Sequence, residues 1–145
     1  MTEGYFITLE GPDGSGKSTQ ARLLAEYLQK SGREIILTRE PGGTPLAEEI
    51  RKLILTPTAE TLEPMTEILL YTASRAQHVA RIIKPALAAG KVVICERFID
   101  SSLAYQGYGL GWSLDLIKTI NRLAIGDCRP DLTFLLDNDP RLGLE

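Results

Sequence analysis

A short apolar run rich in β-prone residues, "YFITLE" (5–10), passes directly into "GPDGSGKST" (11–19). Gly11, Gly16, Lys17 and Ser18 satisfy the pattern G-x-x-x-x-G-K-[ST]. The residues that follow, Lys17 to Lys30, place Leu23, Leu24, Tyr27 and Leu28 at helical spacing, with Gly32 as a stop. Strand, Gly-rich turn and helix in that order are what the pattern's chemistry requires. The turn lets backbone N–H groups curl around an anion, and the helix aims its positive end at the same place. A chance match in a chain of this size is roughly one in a few hundred. The reading is therefore a phosphate cradle made of Gly11, Pro12, Asp13, Gly14, Ser15, Gly16, Lys17, Ser18 and Thr19. Lys17 is expected to neutralise the β- and γ-phosphates of a nucleotide, and Ser18 to offer its hydroxyl to Mg²⁺.

The remaining pattern limits the fold around this cradle. "EIILT" (34–38) reads as a second strand, and Thr44 followed by Pro45 reads as an N-cap and first-turn proline opening a helix to about Leu55. Pro64 begins a long helical pattern that runs to about Ala89, with a kink expected at Pro85. "KVVICE" (91–96) is a third strand, residues 113–126 an amphipathic helix, and "DLTFLLD" (131–137) a fourth strand. No regular element is expected between 97 and 112. The order β-α-β-α-α-β-α-β implies an α/β fold, a parallel sheet with helices on both faces, in one domain spanning 1–145. Ligands of such sheets bind outside the carboxyl ends of the strands.

Composition narrows the partners. A net charge of −3 argues against a general nucleic-acid binder, which needs Lys and Arg to neutralise backbone phosphates. Hydrophobic residues at 43% and charged residues at 24% match neither a disordered chain nor a membrane protein. The N-terminal "MTEGYF" carries an acid where a signal peptide is basic, so a cytoplasmic location is expected, with Cys95 and Cys128 as reduced thiols.

The cradle alone leaves GTPases, ATPase motors and small-molecule kinases open. The chain has no N-K-x-D motif of a GTPase. A kinase needs a second pocket for an anionic acceptor, and Arg39, Arg75 and Arg97, all assigned to the loop side of the sheet, have the planar forks that grip phosphate. Tyr71 and Arg75 are at i and i+4, so one helix face offers a stacking ring and a hydrogen-bond donor together.

"EGPDGSGKST", "TREPGGT", "YTASRAQHV", "ERFIDSSLAYQG" and "RPDLTFLLD" occur in the order and spacing of bacterial thymidylate kinases, and the chain resembles that family over essentially its whole length. The resemblance implies a P-loop nucleoside monophosphate kinase fold, ATP and dTMP as substrates, Mg²⁺ as cofactor, a homodimer, and transfer of the γ-phosphoryl group to dTMP. It implies that Arg97 clamps the dTMP phosphate, with Lys17 and Asp13 beside it in catalysis. Tyr71 would stack on thymine, Arg75 reach a thymine carbonyl, and Arg39 and Pro41 complete the pocket. Ser102 and Gln106 would read the base edge, and Tyr105 crowd the place of a ribose 2′-hydroxyl. Ser18, Asp13 and Glu96 would serve the metal. No residue needs to act as a strong base, because the acceptor phosphate is already ionised. His78, the only histidine, is accordingly expected on the helix surface, and Glu10 either supports the site or caps a strand end.

The match departs from the family at two places. The family usually carries Asp-Arg where this chain has Glu96-Arg97, a pair also found in deoxynucleoside kinases, which are the alternative along with other nucleoside monophosphate kinases. The chain also stops at "DPRLGLE", where family members continue into an Arg-bearing lid, and its cradle has no arginine. The expectation is a formed dTMP pocket with weak phosphoryl transfer; a nucleotide-binding fragment without turnover is the further alternative. "LTFLL" is expected to leave an apolar sheet edge.

Overall fold

The computed structural model describes residues 3–109, 111–139 and 141 of the chain; most of "DPRLGLE" lies outside them. Four parallel strands, β1 (Tyr5–Glu10), β2 (Ile35–Arg39), β3 (Val92–Glu96) and β4 (Leu132–Leu135), form one sheet in the order β2-β3-β1-β4. β1 is central because it pairs with β3 on one side, Phe6 opposite Val93, and with β4 on the other, Thr8 opposite Thr133.

The alternation of side chains along β1 and β3 builds two cores. Phe6, Val93 and Cys95 face one way, into a cluster with Val79, Ile83, Phe98 and Ile125. Ile7, Leu9, Val92 and Ile94 face the other way and pack on Ala21 and Ala25 of α1 (Lys17–Lys30). Helices therefore cover both faces, as the pattern implied. Glu10 belongs to the Phe6 face, and so points its carboxylate at the segment that follows β3.

Helix α2 (Pro45–Leu55) begins as the sequence suggests, with the Thr44 hydroxyl accepting the Ala47 N–H and Pro45 in the first turn. The long pattern from Pro64 is not one α-helix. It divides into α3 (Pro64–His78), a π-helical turn (Val79–Ile83) and α4 (Lys84–Ala88). Pro85 has no N–H to give to the preceding turn and its ring crowds a carbonyl there; the wider π turn, in which the Lys84 N–H reaches the Val79 carbonyl, makes room for it.

The expected irregular stretch 97–112 contains α5 (Ile99–Ser102) and a second π-helical turn (Leu103–Gly109), before α6 (Leu114–Ile125). Their support is tertiary: Glu10 accepts the Phe98 N–H at 2.6 Å and the Ser101 hydroxyl at 2.5 Å. β4 is shorter than the 131–137 expected, since the Asp131 carboxylate accepts the Phe6 N–H at 2.8 Å in place of a ladder bond. Leu132, Phe134 and Leu135 are exposed on this edge strand. Among the described residues no helix is long and apolar enough to cross a membrane.

Candidate active site

The carboxyl ends of β1, β2 and β3 open on a cavity of about 720 Å³. The phosphate cradle forms one end of it. Gly16 caps α1 at φ 93°, a left-handed conformation that a side chain would strain, and this turns the first N–H groups of the helix toward the loop. Lys17 Nζ donates to the Gly11 and Pro12 carbonyls at 2.7 and 2.9 Å, which holds the ammonium across the loop. Burial pushes its pKa down and the Arg97 cation adds to this.

Of the cradle residues, Asp13, Gly14, Gly16, Lys17, Ser18 and Thr19 line the cavity, whereas Gly11, Pro12 and Ser15 do not. Gly11 has a different task. A Cβ there would stand 2.8 Å from the Leu136 carbonyl, so glycine lets the chain after β4 lie against the loop.

The opposite wall comes from three places in the sequence. Arg39 ends β2 and Pro41 follows it, Tyr71 and Arg75 project from α3, and Glu96, Arg97, Ser102, Tyr105 and Gln106 come from the end of β3 and the helical segment after it. Every expected acceptor-side residue is thus at one cavity. Tyr71 is half-buried, and burial, helped by the Glu67 charge, raises its pKa, so the ring stays a neutral phenol suited to stacking.

Arg97 stands at φ 67°, an uncommon conformation for a residue with a side chain. Its N–H is held by the Leu9 carbonyl at 2.9 Å and the next N–H by the Glu10 carboxylate, so the end of β1 imposes it. The guanidinium donates to Asp13 Oδ1 at 2.5 Å and to the Tyr105 hydroxyl at 3.1 Å, and lies 5.2 Å from the Tyr105 ring centre. Asp13, expected to face sugar and metal, therefore has one oxygen engaged by Arg97.

Arg75 is 3% exposed. Its Nε–H donates to Glu40 at 2.6 Å, Nη1 to Ser102 at 2.7 Å and Asn121 at 2.5 Å, and Nη2 to the Phe98 carbonyl at 2.9 Å. A guanidinium has five N–H donors; these four bonds leave one, on Nη2, and Arg75 lines the cavity. His78 is not a surface residue: it is 0% exposed, bonded to Glu40 through Nδ1 and to Thr38 through Nε2. The surface reading fails because α3 buries the face bearing Ser74, Arg75 and His78 against the loop after β2.

Sequence reasoning missed Glu40, Arg51, Leu55 and Ser101, which also line the cavity. Arg51 matters most. Arg39 pairs with Glu48, Arg75 with Glu40 and Arg97 with Asp13. Arg51 donates only to the Pro41 carbonyl, at 2.8 Å, and has no carboxylate partner among the described residues. Its signal is positional: Ala47, Arg51 and Leu55 fall at i, i+4 and i+8, so this arginine lies on the stripe of α2 that carries the buried alanine.

The metal expectation meets one supporting feature. Glu96 Oε1 is buried with no hydrogen-bond partner, on a cavity wall shared with Ser18 and Asp13. Among the described residues no three His, Cys, Asp or Glu side chains cluster. A single carboxylate oxygen, a hydroxyl and nucleotide phosphates suit a Mg²⁺ that keeps several waters.

Glu10 braces the site from beneath. Burial raises its carboxyl pKa against the opposing hydrogen bonds of Ser101 and Phe98. A raised folded-state pKa contributes stability below the ordinary glutamate value of 4.5 and loses it as pH rises through the folded value. In urea unfolding, the unsubstituted chain is therefore expected to gain stability relative to Glu10→Gln as the pH is lowered from 8 toward 4. An equal pH dependence of the two would refute the assignment.

The family model described as thymidylate kinase matches residues 9–145. The chain is 59% identical over 134 residues to a thymidylate kinase of Exiguobacterium sibiricum, covering 92% of this chain and 63% of that one. It is 58% identical over 142 residues to one of Halothermothrix orenii, covering 98% and 68%. A crystal structure of thymidylate kinase from Ehrlichia chaffeensis superposes with a TM-score of 0.87 at 50% identity, over 93% of this chain and 75% of that one. The chain thus spans less than two thirds of the first of these relatives.

Proposed function

The chain belongs to the thymidylate kinase family, and from that premise we propose that it binds dTMP and Mg-ATP and transfers the γ-phosphoryl group to the 5′-phosphate of dTMP, giving dTDP and ADP. The observation that carries the reading is a single cavity with the cradle at one end and a Tyr71–Arg75 face, Arg97 and the carboxylate-free Arg51 around the other.

In this reading an oxygen of the dTMP phosphate attacks the γ-phosphorus as the bond to the β-phosphate oxygen breaks. The acceptor oxygen is already ionised, so the residues supply position and charge rather than proton removal. Lys17 lies against the donor phosphates, and Arg97 and Arg51 hold the acceptor phosphate. Tyr71 stacks on the base, and Tyr105, fixed by Arg97, closes the sugar side. Ser18, with Asp13 and Glu96, would hold Mg²⁺, which when bound screens charge between the β- and γ-phosphates. Exposed Leu46 and Leu53 on α2 and Leu69 on α3 support a homodimer as part of the same reading, and a cytoplasmic site of action agrees with the chemistry.

Calorimetric titration with dTMP and with thymidine tests it. The expected result is dTMP at least about 100-fold tighter, because two charged donors on the phosphate contribute about 1.5–3 kcal/mol each. Arg51→Gln is expected to weaken dTMP about tenfold and leave thymidine unchanged. Thymidine binding as tightly as dTMP would instead favour a deoxynucleoside kinase.

A further inference from the structure

Glu40 and His78 have no part in phosphoryl transfer, yet they are among the most enclosed polar side chains of the molecule. Burial alone would raise the Glu40 carboxyl, but the Arg75 charge beside it, with the His78 hydrogen bond, outweighs burial and keeps it below the usual carboxylate value. Glu40 is thus an acceptor, so His78 Nδ1, at 2.8 Å, is the donor. Glu40 then accepts twice, from His78 Nδ1–H at Oε2 and from Arg75 Nε–H at Oε1, while the Thr38 hydroxyl and His78 Nε2 share a hydrogen bond of 2.7 Å.

The chain of bonds runs from β2 to the cavity wall. Thr38 lies in β2, and the Glu40 N–H is held by the Glu96 carbonyl at 3.0 Å, so its near end is anchored in the sheet. The imidazole is wedged in place: a Cβ on Gly43 would come within 2.3 Å of its Cδ2. At the far end, the bonds to Glu40, Ser102, Asn121 and Phe98 leave Arg75 no freedom to rotate, and Arg75 lines the cavity with one Nη2–H not used by them.

We propose that Glu40 and His78 are positioning residues for base recognition, fixing the Arg75 guanidinium so that its last N–H meets a pyrimidine carbonyl and rejects an amino group at the same place. The inference rests on the dTMP reading above. A fixed donor pairs with the carbonyl of thymine but confronts the amino group that cytosine carries there, and a donor held without freedom cannot turn aside. Loosening the support should therefore erode selectivity, and not merely affinity.

The test is calorimetric affinity of the full 145-residue chain for dTMP, dCMP and ADP in three variants. His78→Leu is expected to weaken dTMP about tenfold or more and to lower the dTMP-to-dCMP preference by a similar factor, with ADP unchanged. Thr38→Val, which keeps shape and removes the hydroxyl, should shift the preference in the same direction by less. His78→Asn, which retains an N–H donor near the place of Nδ1, should restore it. An unchanged preference in His78→Leu, or an equal loss for all three ligands, would overturn the inference and leave the network a folding device. If the unsubstituted chain itself fails to prefer dTMP over dCMP, the reading of the pocket falls, and the inference with it.

Discussion

Replacing Arg97 by methionine is expected to weaken dTMP binding by about 100-fold, read by calorimetry, while ADP binding changes little. The side chain of methionine fills similar space, so the loss isolates the guanidinium. That group is already oriented: the backbone at φ 67° is imposed by β1, and the fork is held by Asp13 and Tyr105. A phosphate arriving beside it meets a donor that has little orientational freedom left to lose. Arg97→Lys should recover only a minor part, because a point charge on a flexible stem cannot reproduce two parallel N–H bonds. Full recovery by lysine would show that charge alone, without geometry, holds the acceptor.

The second large effect falls on stability. Glu40→Ala leaves the Arg75 cation buried without its carboxylate, and removing one partner of a buried pair costs about 3–5 kcal/mol. For a domain of this size the melting temperature should fall by roughly 10 °C. The pH dependence carries a sign. Because the folded-state pKa of Glu40 is depressed, its contribution is present above the ordinary glutamate value of 4.5 and is lost as pH falls through the lower folded value. The gap between the unsubstituted chain and Glu40→Ala should therefore narrow in acid, the opposite of the trend expected at Glu10. Calorimetric melting from pH 7 down to 3 distinguishes them, and a gap that widens in acid would refute the assigned pairing.

The contrast between these two glutamates shows where sequence reading reaches its end. The cradle and the strand order in the chain are local patterns, and local patterns are legible; Pro41, Ser102, Tyr105 and Gln106 of the acceptor wall come only from the resemblance of whole motifs to the family. Glu10 and Glu40 each end an apolar run in the same way, and nothing adjacent to either states that one meets a backbone N–H and a serine while the other meets an arginine 35 residues away. Arg51 is hidden for a related reason, since "AEEIRKLIL" reads as a charged surface helix unless its register against Ala47 is known. Likewise α5 and the π turn after it have little helical pattern of their own, and are held by Glu10 and Arg75. His78 was misplaced because its partners, Thr38 and Glu40, come from β2 and the loop after it.

The sheet order also has a consequence in time. β1 and the loop after it precede every other described element, yet β1 does not pair with β2, the next strand in sequence; its partners begin at Val92 and Leu132. The Phe6 N–H is bonded to a carboxylate 125 residues away, and Gly11 rests against the chain after β4. Closing contacts over such separations demands loop entropy before any contact rewards it. β1 is thus expected to be fixed only after residues 92–135 have joined it, and the loop that follows it takes its shape late in folding.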